Sequence, residues 1–282
     1  MRLNLADPAD HLAAFVKARS SLGTEDVAWH FSGRIGAWEH GRMRRDLFGF
    51  EAFTVGRAVA VGARVEWLSR EALLFTDIGS GAILDHCDRP DAGVANEVEH
   101  LWVDRSSSPF PFADHALADG VFGQGVSGDD PRLDVPVPEV WGDEVHFPVE
   151  LVASSDVSRG TNVAGVGPNS DADAMPPTVD VFRFAASRRH VEDASPSAPC
   201  EATWVRFAPW FPWMGMGERG GGLVVHGCGR KLSRGFDELP RGVKDYIVRT
   251  RPEFGFAPAA AIDSGGRNAR RFLTPASSHR PR

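Results

Sequence analysis

The chain has 282 residues, 42% of them apolar and 24% charged, which is the composition of an ordinary globular protein and excludes a disordered, fibrous or membrane-embedded class. Its formal charge of −7 argues against a nucleic-acid partner, because affinity for phosphates comes chiefly from Lys and Arg. Eight Trp and 18 Phe against a single Tyr give large apolar side chains that mostly lack a hydroxyl needing a partner.

No run approaches 18 apolar residues, and the opening MRLNLADPADHL has neither a basic nor an apolar leader region, so no membrane contact and a cytoplasmic location are expected. Cys87, Cys200 and Cys228 are widely spaced, with no C-x-x-C, and predict reduced, mostly buried thiols rather than a disulfide framework or a thiolate zinc site.

Asp7-Pro8-Ala9-Asp10 reads as an N-cap, a proline at the first helical position and an acid in the first turn, and Leu12, Phe15 and Val16 continue at helical spacing. From Val27 the period changes to two, with Val27, Trp29 and Phe31 alternating against Ala28, His30 and Ser32. Similar short runs recur at Leu47 to Val55, Arg64 to Phe75, Glu97 to Val103, Val145 to Val152, Thr178 to Ala185, Thr203 to Phe207 and Leu223 to Cys228. Many short strands between one early and one late helix predict a mainly β fold: an antiparallel barrel or strongly curved sheet, lipocalin-like in spirit.

Ser106 to Glu139 and Ser154 to Pro177 lack periodicity and read as long loops, either lids over a binding site or local disorder. Asp237, Glu238 and Pro240 open a second helix with Leu239, Val243, Tyr246 and Ile247 on one face, expected to cap one end of the sheet. One β-rich domain over residues 1–258 and a disordered basic tail over 259–282 follow.

The segment Trp204 to Phe254 begins WVRFAPWFPWMGMGERGGGLVVHGCGRKL. It resembles the C-terminal signature of the family known as domain of unknown function 1838, with a Trp/Pro/Met run, a strand ending in G-R-K-L and then a helix. LFGFEAF (Leu47 to Phe53), Thr76-Asp77, Gly81 to Asp85 and EVEHLWVD (Glu97 to Asp104) are similar to further family segments, in order. The chain departs from the pattern at Asp88-Arg89-Pro90-Asp91-Ala92-Gly93, where relatives carry an N-P-x-T-G-E-like turn, and at Val103, where an Asn is expected. If those positions form the family's site, the resemblance implies altered or absent chemistry here. The family has no established activity, so the likeness implies a fold and a pocket location but no reaction.

Trp204, Trp210, Trp213, Met214 and Met216 stand close together with Pro209 and Pro212, which deny the chain regular ladder bonds. Such a run suits either the wall of an apolar pocket or a packed corner of the core. Trp29, Trp102 and His226 are further candidate ligand contacts. On the Glu97 to Asp104 run, His100 shares a face with Val98 and Trp102, as a general acid or base or as a satisfied core histidine.

Arg206 alternates with Trp204 and so would share its face, where it could stabilise developing negative charge. The two G-x-G-x-x-G runs, at Gly123 and Gly215, lie outside any βαβ context and read as turns. No spacing announces a metal, and no cofactor is expected.

Two functions follow. The first is a cofactor-independent enzyme of cyclase, isomerase or lyase type, acting on an apolar carbonyl-bearing small molecule with His100 and Arg206 managing protons and charge. The second is a protein that binds or carries such a molecule unchanged. Oligomeric state is not legible from the sequence.

Overall fold

The structure is a computed structural model and describes residues 2–39, 41, 45–61, 64–89, 94–110, 136–153, 178–216 and 220–258. Among the described residues eleven strands and three helices run in chain order: α1 (His11–Arg19), β1 (Val27–Trp38), β2 (Arg45–Val61), β3 (Arg64–Thr76), β4 (His86–Arg89), β5 (Val94–Glu97), β6 (Leu101–Phe110), β7 (Glu139–Trp141), β8 (Glu144–Ala153), β9 (Thr178–Ser187), α2 (Arg188–Glu192), β10 (Cys200–Ala208), β11 (Gly222–Leu232) and α3 (Arg241–Thr250). Nine strands form one antiparallel sheet in the order β6-β3-β2-β1-β11-β10-β9-β8-β7. β4 and β5 pair separately.

The fold is mainly β with few helices, as expected, but the barrel alternative is not formed. β6 and β7 end the sheet and do not pair with each other among the described residues. The Glu97 to Val103 run is broken in two: β5 ends at Glu97, Val98 bonds back to the Asp85 carbonyl at 2.9 Å, and β6 restarts at Leu101. The first long loop begins later than its composition suggests, because β6 continues to Phe110. The remainder of that loop, the loop ahead of β9 and the basic tail from 259 lie outside the described residues.

The strand period sorts side chains onto two faces. The inner face carries Trp29 and Phe31 of β1, Phe50 of β2, Phe75 of β3, Phe184 of β9 and Trp204 of β10, within one large apolar cluster. Rings on strands three apart touch there: Trp29 meets Phe184 at 5.4 Å and Phe50 meets Trp204 at 5.5 Å between centroids. Strands three apart in a flat sheet stand about 14 Å apart, so these rings reach across the strands between them. Gly227 and Gly229 of β11 make that possible, because a Cβ at either would strike the ring of Phe50 or Phe31.

Gly33 has a different reason to be glycine, since a Cβ there would lie 2.0 Å from the His226 carbonyl oxygen and 2.7 Å from the Gly227 Cα. Side-chain rotation cannot relieve a clash with backbone. Gly33→Ala is therefore expected to cost about 1–3 kcal/mol, the usual penalty of overpacking, read as a lower urea midpoint at unchanged slope.

α1 begins as its sequence dictates, with Asp7 accepting from the Ala9 N–H at 3.0 Å and Pro8 opening a 3₁₀ turn. Its Phe15 ring packs on Phe147 and Phe184 at the β8–β9 end of the inner face. Two lysines tie it down: buried Lys17 donates to the Val191 and Asp193 carbonyls and the Asp193 carboxylate, and half-buried Lys231 to the Lys17 and Ser20 carbonyls and the Ser197 hydroxyl. A cation among carbonyls at a helix C-terminus is favoured by the negative end of the helix dipole.

α3 does not cap an end of the sheet. Val243 and Ile247 pack flat on its outer face against Ala28, Phe53, Val55, Ala72 and Leu74, because small and β-branched residues at alternate positions of β1 to β3 leave an apolar strip there.

Candidate functional site

Most of the sequence's candidates gather on the inner face. Trp29 is fully buried, donates Nε1–H to the Arg19 carbonyl at 2.8 Å and stacks on Phe31 at 5.6 Å. Trp204 lies parallel to Phe182 at 5.7 Å, with Phe31 edge-on to both. Trp213 and Met214 form a 3₁₀ turn, Pro212–Met214, whose indole wedges between Phe48 at 5.7 Å and Phe75 at 5.2 Å. Trp210 and Met216 are half-buried against the same cluster.

Arg206 also points inward and is buried, but it does not stand ready for an anion. Its Nε and Nη2 donate to the two oxygens of Asp180, each at 2.7 Å, and Trp204 Nε1 donates to Asp180 Oδ1 at 2.7 Å. A carboxylate receiving three charge-assisted or indole donors, with both members of the pair buried, is a locked element of the wall.

The other candidates are elsewhere. Trp102 lies on the outer face, stacked on Tyr246 of α3 and edge-on to Phe254. His226 is exposed on that face, the alternation along β11 having turned it away from Val225. His100 sits at the margin of the sheet, where β6 has not yet begun to pair with β3. Its Nδ1 accepts the Phe75 N–H at 3.2 Å, taking the place a strand carbonyl would hold, and its ring lies between Phe75 and Tyr246.

Accepting at Nδ1 fixes the proton on Nε2, which is buried and has no hydrogen bond among the described residues. Burial pushes its pKa down to about 4, against a weaker upward pull from the Asp85 carboxylate. In the sheet four strands, β3, β2, β1 and β11, lie between β10, which carries Arg206, and β6, which begins just after His100.

Three inner-face residues went unnoticed in the sequence. Asp180 was legible, since alternation along β9 puts it on the face of Phe182 and Phe184. Glu71 stands on the face of Trp67, Leu73 and Phe75 by the same rule. Arg19 had no such signal, because only the fold shows its guanidinium 5.2 Å over Trp29, 4.8 Å over Trp67 and 5.5 Å over Phe184.

Lys231 lies on the inner face too, and burial, only partly offset by Cys200, pushes its pKa down to about 7. Cys200 is itself pushed up to about 12 by burial, so it is a thiol at neutral pH.

The inner face is not dry throughout. Trp29, Trp67, Phe75 and Phe147 have no exposure, yet Ala52 of β2, Glu71 of β3 and Phe182 of β9 keep part of their surface accessible. On the outer face a groove of about 400 Å³ runs past His30, His146, Arg183, Glu201 and Cys228. Several of its ionic groups are engaged, His30 with Glu51, Arg183 with Glu139 and His146 with Glu144, as on a solvated sheet surface.

Among the described residues no group of three His, Cys, Asp or Glu could hold a metal, and no helix is long and apolar enough to cross a membrane. Cys87, Cys200 and Cys228 form no disulfide.

Fold and inner face together define a large antiparallel β-sheet protein with an aromatic face and a buried acid–arginine pair. The chain belongs to the family described as protein of unknown function DUF1838, whose model matches residues 24–270. Among solved structures, the crystal structure of Rv2717c from M. tuberculosis is similar at 12% identity, covering 80% of this chain and 98% of that one with a TM-score of 0.27. No curated protein matches the chain.

Proposed function

We propose that this protein binds an apolar small molecule against the inner face of its sheet, which curls around the ligand as an incomplete barrel. The observation that carries the reading is the partial accessibility of Ala52, Glu71 and Phe182 on a face where Trp29, Trp67, Phe75 and Phe147 are fully buried. Aromatic walls, few polar groups and a hollow at their centre are what a small-molecule site requires. Binding or carriage fits better than catalysis by His100 and Arg206, since one serves a backbone N–H at the sheet margin and the other is held by Asp180.

The test is titration of the full chain with N-phenyl-1-naphthylamine, an uncharged probe that fluoresces in apolar surroundings. Saturable binding of one molecule per chain is expected. Ala52→Phe, which fills the hollow from β2, should weaken it at least tenfold with little change in melting temperature. Absence of saturation, or unchanged affinity in a folded Ala52→Phe protein, would overturn the reading.

A further inference from the structure

Among the described residues Glu71 is the one acidic side chain placed at the accessible part of the inner face. Register sets it across from Thr54 of β2, one rung from Leu73, Ala52 and Phe31. Its Oε1 accepts from the Ser69 hydroxyl at 3.1 Å, and no other bond to the carboxylate occurs among the described residues. Acids on an apolar face are normally paired or replaced, as Asp180 is paired with Arg206. A half-buried carboxylate with one weak partner and an accessible surface is arranged to accept from something else.

The other charges on this face say what that donor is attached to. Asp180 is neutralised by Arg206. The Lys231 ammonium is turned into three oxygens at the end of α1. Arg19, on the rings of Trp29 and Trp67, supplies a positive charge on the same face as Glu71. Asp180, Arg206 and Lys231 are thus engaged within the protein, which suits an uncharged ligand better than an ionic one. The rings of the face offer flat contact instead.

We infer that Glu71 is the polar recognition group of the site, and that the ligand is a flat, uncharged, largely apolar ring compound bearing a hydroxyl that donates to the Glu71 carboxylate. The inference rests on the small-molecule reading above and goes further by naming what is recognised.

A matched pair of probes tests it: 2-naphthol, which carries the donor, and 2-methoxynaphthalene, which has the same rings and lacks it. Calorimetric titration of the full chain should give 2-naphthol at least tenfold tighter binding, the range of a hydrogen bond to a charged group. In Glu71→Leu the preference should vanish while 2-methoxynaphthalene binds as well as before or better. Glu71→Gln, which keeps an acceptor oxygen, should retain a reduced preference. Equal binding of the two probes by the unmodified protein would overturn the role of Glu71 and leave the hollow standing. Binding of neither would remove the hollow and this inference with it.

Discussion

Asp180→Ala is expected to destabilise the protein by about 3–5 kcal/mol, because removing one member of a buried ion pair leaves the other charge in a medium that cannot solvate it. Asp180 and Arg206 are 3% and 5% exposed, and the carboxylate also takes the indole N–H of Trp204. The substitution therefore strips three donors of their acceptor at once. Urea unfolding monitored by far-ultraviolet circular dichroism measures the loss.

The companion is Asp180→Ala combined with Arg206→Met, which removes both charges and keeps apolar volume. If the single change hurts because of a stranded guanidinium, the double variant should be the more stable of the two. A double variant as weak as the single one would mean that the pair matters for shape rather than charge, and a single change costing under 1 kcal/mol would mean that water reaches the pair.

That pair also marks the boundary of what the sequence could say. Strand alternation read correctly in β10, whose buried and exposed residues alternate, because there period two is imposed by burial itself. It placed Arg206 on the face of Trp204 without help. It failed at His100 because the Glu97 to Asp104 run looks continuous although its backbone leaves the ladder at Val98 and rejoins at Leu101. Nothing in the side-chain pattern records such a break.

Closure was equally invisible. Whether nine antiparallel strands end in a seam or in two edges depends on how their ends are placed in space, whereas composition records only that strands exist. Trp102 and His226 stand on the outer face, away from Trp204, for a related reason. Both faces of this sheet bury apolar residues where α3 lies, so an aromatic residue on a strand does not by itself announce which face it serves.

The same misplaced histidine gives the clearest pH dependence. In the unfolded chain a histidine takes a proton near pH 6.5, whereas burial holds His100 neutral until about pH 4. Geometry agrees, since a proton on Nδ1 would face the Phe75 N–H that this nitrogen now accepts. Between those two values the unfolded state binds one more proton than the native state, so stability is complete above about pH 6.5 and falls as the solution is acidified towards pH 4.

The full effect is about 3 kcal/mol, taking 1.36 kcal/mol for each unit between the two values. Carboxylates titrate at the lower end of the same window, so the measurement is a difference. His100→Asn places an amide oxygen where Nδ1 stood, keeps the Phe75 bond and cannot titrate. Unfolding free energies of the two proteins should run apart between pH 4 and 6.5, the unmodified chain losing stability more steeply. Parallel curves would mean that His100 is solvated, and that the outer edge of β3 is open to water where the fold closes it.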